Sequence, residues 1–539
     1  MTNQHGYDDA DKHEDFSDTP IIPGPDNPDP DGLFIAEVQG RNKRLRQLIQ
    51  FTHSSTKAAA IMLLAAIVAL VVANTPAHGP FLEFWHTQVS IGIGAFHGEM
   101  SFAHIINDIF MAVFFLLVGL EIKYEMTVGS LTDIRQAILP VGAALGGVLA
   151  PIGIYLLFNA GSPDTIMGWG VPSATDIAFA LGILSLLGSR VPAGVRVFLS
   201  TLAVADDIVA ILIIAVFYGQ SPSLFWLGAA AIVLVLLVVL NRTHVFSLVP
   251  YLVVGAVLWY CIFMSGIHST IAGVLLAFVI PSGSRVKLGR FAAWSRERVA
   301  EANRAFSPDQ PVIGQGDYLA SVTRLARVSR QVVPPATRLE RRLYPWVYFA
   351  ILPLFALTNA DVAFLSVPAS DIFGSPIFLG VFFGLVLGKP IGIMAMSFLI
   401  VKSGLSSLPE NVNWAHLLGA ALLGGVGFTM AIFVANLAFV DPGYAMVAKV
   451  AILAASLVAG AAGFAFLYFQ AKIASAKGVT FEMEMPAPEN MQSHAAHELV
   501  RKRKRERARE QDAERAQHAG AEQTPDEAVT ESAPEGDKK

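Results

Sequence analysis

The sequence predicts an all-α polytopic membrane protein with twelve transmembrane helices, two of them interrupted. Three observations predict it. Of 539 residues, 54% are hydrophobic and only 15% charged, with a mean hydropathy of +0.53; soluble domains carry about 25% charged residues. Apolar runs recur at lengths near the roughly 20 residues that a membrane-spanning helix needs. Lys and Arg fall in every second loop. The net charge of −5 carries little meaning, because the charges are segregated into two tails and one long loop.

Residues 1–53 are acidic and rich in Pro, Gly and Asp, with no apolar core. They read as a disordered cytoplasmic tail and not as a signal peptide, which leaves the first span to act as the insertion signal. Residues 54–471 read as the twelve-span domain. Its runs are Ala58–Asn74, Phe102–Leu120, Ala137–Phe158, Ile166–Leu187, Val197–Tyr218, Ser223–Leu240, Phe246–Met264, Ile267–Ile280, Tyr344–Thr358, Ile372–Val401, Trp414–Phe439 and Tyr444–Gln470. Between spans eight and nine, residues 282–343 form a long Arg-rich cytoplasmic loop or lid, with amphipathic helix in part. Residues 472–539 form a charged cytoplasmic tail containing the basic cluster Arg501–Arg509, which either is simply solvated or is drawn to anionic lipid. The single cysteine, Cys261, excludes a disulfide framework within one chain and a thiolate metal site.

Orientation follows from the basic residues. Arg41–Arg46, Lys123/Arg135, Arg190/Arg196, Arg242, Arg285–Arg342, Lys402 and the C-terminal tail all lie on one side under a twelve-span count, and the alternate loops hold no Lys or Arg. By the positive-inside rule both termini are cytoplasmic. The outer loop Thr75–Ser101 is too short and mixed to span, and fits an interfacial helix or a hairpin.

Two spans are poor continuous helices. Span four contains Gly168-Trp169-Gly170-Val171-Pro172-Ser173-Ala174-Thr175-Asp176, where Pro172 removes a backbone donor and disfavours helix at Val171. Span eleven contains Leu423-Gly424-Gly425-Val426-Gly427-Phe428-Thr429. Glycine packing between helices is the structural alternative there. Unwound backbone at membrane depth is tolerated where it is buried in protein or lines a wet cavity. Each interrupted span is the middle of a three-span group, three to five and ten to twelve. That is the pattern of inverted-repeat transporters, whose ion site lies between the breaks.

The charges within spans are Asp108, Glu121, Lys123, Asp176, Asp206, Asp207, Lys389 and Lys449. Lys449 is near a span end, where snorkelling to the interface explains it. One Asp at the centre of a membrane helix costs about 2.5–3.5 kcal/mol on insertion scales, so the adjacent Asp206 and Asp207 read as functional; a pair held by a buried partner for structure alone is the alternative. A buried Lys389 is the natural partner for one carboxylate, leaving another for a cation or proton. A small hard cation takes oxygen ligands, and carboxylates, the Thr175 hydroxyl and freed carbonyls supply them. One carboxylate cannot hold a proton and a metal ion together, so competition at a single site yields exchange.

At these residues the chain resembles the NhaA-type sodium/proton antiporters. The matching segments are Phe114–Glu121, Pro172–Gly182, Leu186–Pro192, Asp206-Asp207, Gly266–Thr270, Leu387–Pro390 and Gly427–Met430, in order between about Ser54 and Ala471. The tails and most of Arg285–Arg330, which looks like an insertion, carry no match. The resemblance implies that Asp207 is the main Na+ and proton ligand, with Asp206 beside it paired to Lys389, and that Thr175 and Asp176 sit where broken helix ends meet. It implies pH response at Glu121, Glu340 and His268, although a packed or surface histidine explains His268 equally. Tyr124 and Thr337 depart from the family's basic residues among these pH-response positions and leave the transport core intact. The expected activity is electrogenic export of Na+ (or Li+) against external protons by alternating access in the cell membrane. Sodium ion, protons and membrane lipid are the partners, a homodimer through the outer loop is implied, and neither cofactor nor nucleic acid is expected. A cation channel or a non-transporting pH or salt sensor using the same carboxylates is the alternative. A hydrolase is disfavoured, because adjacent aspartates point about 100° apart on a helix and no His-Glu-x-x-His motif occurs. Truncation after Lys477 is expected to leave Na+-dependent proton flux intact in correctly inserted protein; loss of flux would make the tail part of the machine.

Overall fold

The computed structural model describes residues 54–476 apart from 94, 95, 133, 220, 221, 285, 367 and 410. The readings of residues 1–53 and of the C-terminal tail beyond residue 476 lie outside the described residues. The described chain is a helical membrane domain. Its helices are α1 (Ser55–Ala73), α2 (His78–His86), α3 (Phe102–Thr127), α4 (Ile134–Asn159), α5 (Pro163–Ser173), α6 (Ile177–Leu186), α7 (Ala193–Phe217), α8 (Leu224–Arg242), α9 (Leu248–Met264) and α10 (Thr270–Val279). After them come α11 (Leu288–Ala305), α12 (Gly316–Val332), α13 (335–359), α14 (Pro376–Lys402), α15 (Trp414–Gly424), α16 (Phe428–Ala438) and α17 (Pro442–Ala476). Each of the twelve apolar runs falls on helix. Seven described helices are long and apolar enough to cross a membrane, and the pairs α5–α6 and α15–α16 are each bent by 44° at a short break. The chain is a multi-pass membrane protein. Its outermost helix, α8, exposes Leu224, Phe225, Ile232 and Val235, as suits side chains that meet lipid.

Two packing groups organise the bundle. In one, α4 crosses α14 along its length, with α7, α15, α17 and the α5 turn around them. In the other, α3 packs on α10, and α13 packs on α1; α8 and α9 lean on α10. The groups meet where α1 packs on α6. Asn74, at the end of α1, ties down the end of α13: its Nδ2 donates to Val362 O at 2.8 Å and its Oδ1 accepts from Leu365 N at 3.0 Å.

The loop between α1 and α3 is both a helix and a hairpin. α2 precedes β1 (Gln88–Ile93), which pairs antiparallel with β2 (Phe96–Ser101) in the register Gln88↔Ser101 to Ile93↔Phe96. Residues 282–343 hold an antiparallel helical pair, α11 and α12. Phe306 and Tyr318 meet at its tip, tilted at 53° with centroids 5.2 Å apart. The Gln315 side chain closes the connection, accepting from Ser307 N at 3.0 Å and donating to Ser307 O and Gln310 O at 2.7 Å.

Close approach of α4 and α14 requires glycine. A methyl group on Gly392 would collide with the Gly146 carbonyl, and one on Gly146 with Gly392 O and Met396. Backbone cannot yield as a side-chain tip can, and overpacking costs about 1–3 kcal/mol. Gly392→Ala is expected to lower the thermal unfolding midpoint of the purified protein, whereas Gly153→Ala, whose added carbon meets nothing within 4 Å, is expected to leave it in place.

Candidate functional site

The two helix breaks cross each other. Residues 174–176 separate α5 from α6, and residues 425–427 separate α15 from α16. The unwound backbone is satisfied from the opposite break: Asp176 N donates to Val426 O at 2.7 Å, and the Thr175 hydroxyl donates to Gly424 O at 2.8 Å. Asp176 joins two helix starts. Its Oδ1 accepts from Phe179 N at 3.0 Å, capping α6. Its Oδ2 accepts from Thr429 N at 3.1 Å and from the Thr429 hydroxyl at 2.5 Å, at the start of α16. One carboxylate thus faces two positive helix ends, the placement that a helix dipole favours.

The break falls after Pro172 and not at Val171. From Met167 to Ser173 the chain winds as a tighter three-residue turn, and side chains replace the missing ladder. The Tyr218 hydroxyl accepts from Gly170 N at 3.1 Å and donates to Met167 O at 2.8 Å. The Ser173 hydroxyl donates to Gly170 O at 2.7 Å.

Lys389 reaches this crossing from α14, where residues 384–388 form a wider turn with backbone bonds offset by five residues. Such turns often mark functional positions. The ammonium, 1% exposed, pairs with Asp206 Oδ2 at 2.5 Å and donates to the Thr175 hydroxyl. Asp206 and Asp207 are 2% and 1% exposed. Their environments differ: Asp206 holds the lysine through Oδ2, whereas no ion pair holds Asp207 among the described residues; the Oδ1 of each accepts no hydrogen bond there. Thr175, Asp176, Asp206 and Lys389 therefore form one contiguous cluster, with Asp207 adjoining.

The pH-response set divides. Glu121 and Glu340 lie within electrostatic reach of each other, and the field of Glu121 also reaches Asp207. Beside them the Lys123 ammonium caps α10, donating to Phe278 O at 2.8 Å and to Ile280 O. His268 sits at the opposite end of α10, about 15 Å away at 1.5 Å per residue. Its Nε2 is 2.7 Å from Tyr218 O, so it neighbours the end of α7 and not the glutamates.

Three contributors lack any assigned role in the sequence reading. Thr429 lies within the Gly427–Met430 motif, and its hydroxyl beside a glycine break was the available signal. Ser456, whose hydroxyl accepts from Phe428 N at 3.1 Å, and Tyr218 carried none, because their targets are backbone groups freed only in the tertiary structure.

Crossed helix breaks, neutralised by buried charges, define the class of polytopic membrane transporters. The chain belongs to the Na+/H+ antiporter 1 family, whose model matches residues 49–467, a range that runs through residues 285–330. It is 42% identical over 433 residues to the Na+/H+ antiporter NhaA of Wolinella succinogenes, covering 80% of this chain and 94% of that one. It is 45% identical over 427 residues to Na+/H+ antiporter NhaA 2 of Flavobacterium johnsoniae, covering 79% and 93%.

Removing Lys389 alone strands the Asp206 charge, a change that costs about 3–5 kcal/mol when one partner of a buried pair is deleted. Lys389→Ala is expected to melt far below the wild type, and Lys389→Ala/Asp206→Asn to regain most of the loss. Equal melting of the single variant and the wild type would remove the pair as a source of stability.

Proposed function

We propose that this chain exchanges cytoplasmic Na+, or Li+, for external protons at Asp207. The carrying observation is the asymmetry of the aspartate pair. Asp206 is held through Oδ2 by Lys389, while no ion pair holds the equally buried Asp207 among the described residues; the Oδ1 of each accepts no hydrogen bond there. A buried carboxylate in that position binds either a proton or a cation. The Asp206 carboxylate, the Thr175 hydroxyl and the carbonyls of the crossed breaks are the further oxygens a small hard cation takes. Substitution of one ligand by the other couples the two fluxes at a single site.

In this reading each bent pair is one interrupted span, and α4–α7 and α14–α17 are the two inverted repeats. With α1, α3, α8, α9, α10 and α13 they make twelve spans, with both termini and the 282–343 segment cytoplasmic. The alternation of Lys and Arg supports that orientation. Access alternates as the repeats move against the remaining helices, so that Asp207 is wetted from each side in turn. Exchange is electrogenic, with more protons entering than cations leaving. Glu121 and Glu340 tune the working pH through the field that reaches Asp207; His268 lies at the other end of α10. Assembly as a homodimer through the β1–β2 hairpin, whose outer edges are unpaired among the described residues, completes the reading.

Proteoliposomes loaded with Na+ are expected to acidify or alkalinise their lumen as the Na+ gradient is reversed, across pH 6–9. Asp207→Asn is expected to abolish this flux without lowering the melting temperature, because it removes a buried charge and leaves the Lys389–Asp206 pair in place. Na+-driven proton movement that survives Asp207→Asn would overturn the assignment.

A further inference from the structure

One end of the bundle carries a relay of side-chain amides that the exchange chemistry leaves unused. Asn436 of α16 donates to Asn359 Oδ1 at 2.7 Å. Asn359, at the end of α13 and 4% exposed, donates in turn to Asn107 Oδ1 of α3 at 2.8 Å. An amide both donates and accepts, so Asn359 pins three helices through one side chain. The relay crosses between the two packing groups: α16 belongs with the helices of the ion site, whereas α3 and α13 belong with α10 and α1.

A layer of rings lies deeper on the same three helices, about one turn along α16 and α13 and about two along α3. Phe433 precedes Asn436 by three residues, Phe355 precedes Asn359 by four, and Phe115 follows Asn107 by eight. Phe433 contacts both others, with centroids 5.6 Å from Phe115 and 6.2 Å from Phe355. All three rings are at most 3% exposed. One further turn along α16 lies Thr429, bonded to Asp176. Amides, rings and acidic site are therefore stacked in that order from the hairpin end inward. The same end has a second crossing: Asp361, beyond α13, pairs with His78 of α2 at 3.2 Å and attracts Lys449 of α17.

We propose that the Asn107–Asn359–Asn436 relay is a latch that holds the outer end of the pathway shut over the Phe115–Phe355–Phe433 plug. Outward opening then requires the Asn436–Asn359 bond to break, and water to take its place on both amides. The two-sided access this invokes rests on the antiporter reading above. A hydrogen bond of this kind is worth roughly three- to tenfold in an equilibrium, enough to bias the two states while leaving both populated. Asn436 is here a positioning residue that acts on the gate and touches no ion.

The test labels a cysteine beneath the plug. Met430 of α16, 2% exposed, lies between Thr429 and Phe433. In a Cys261→Ala background, Met430→Cys is exposed to a membrane-impermeant methanethiosulfonate from the outer face, in right-side-out vesicles without Na+. Adding Asn436→Ala is expected to speed labelling roughly three- to tenfold, and to lower the outer apparent KM for Na+ while raising the inner one. Asn159→Ala is the control, since that amide bonds Pro376 O at 2.8 Å within a single packing group; it is expected to leave labelling unchanged. Equal acceleration in both variants, or none in Asn436→Ala, would overturn the latch. Should Asn436→Ala fail to insert, Asn436→Ser, too short to span to Asn359, replaces it with the same expected rise. A wild type that moves no protons on a Na+ gradient would remove the antiporter reading, whereas labelling without Na+ decides the latch on its own.

Discussion

A lysine ammonium buried among apolar helices has to be neutralised, and the interior of this protein is arranged around meeting that requirement. Lys389 finds Asp206 and Thr175, and to do so it must project from α14 at the level of the crossed breaks. The widened turn at residues 384–388 sets that projection. The close crossing of α4 and α14 through Gly146 and Gly392 holds the helix there. With the lysine bonded to Asp206, the neighbouring Asp207 is held by no ion pair among the described residues. The same ion pair thus separates the two aspartates into one that holds the lysine and one that does not.

The breaks answer a second constraint, that backbone polar groups in a membrane must be satisfied within the protein. Each unwound segment takes its partners from the other: Asp176 N to Val426 O, and Thr175 to Gly424 O. The electrostatics agree with this hydrogen bonding. The Asp176 carboxylate sits at the starts of α6 and α16, and the Lys389 ammonium near the end of α15, each opposing the sign of the helix ends it meets. Each break thus supplies hydrogen-bond partners to the other.

Much of this was legible in the chain. Run length and the confinement of Lys and Arg to alternate loops marked the helices. Pro172 and the glycines 424, 425 and 427 marked where helix fails, and a lysine among aspartates marked the pairing. Other features had no local signal. The break lies after Pro172 because the Tyr218 hydroxyl bridges Gly170 and Met167, and Tyr218 is distant in sequence. His268 stands apart from Glu121 and Glu340 because α10 separates them, although all three carry the same family resemblance. The long basic segment, read as amphipathic helix in part, folds as α11 and α12, and their pairing is what the sequence did not mark.

What the sequence by itself determined is the solvent of this protein and the inventory of its interior. Hydropathy follows from composition and charge segregation from residue order, and an ionisable residue within an apolar run is expensive wherever it ends up. What only the tertiary structure decided is who neutralises whom. Asp206 and Asp207 are chemically identical neighbours, and about 100° of helical rotation gives one of them the lysine and leaves the other without it.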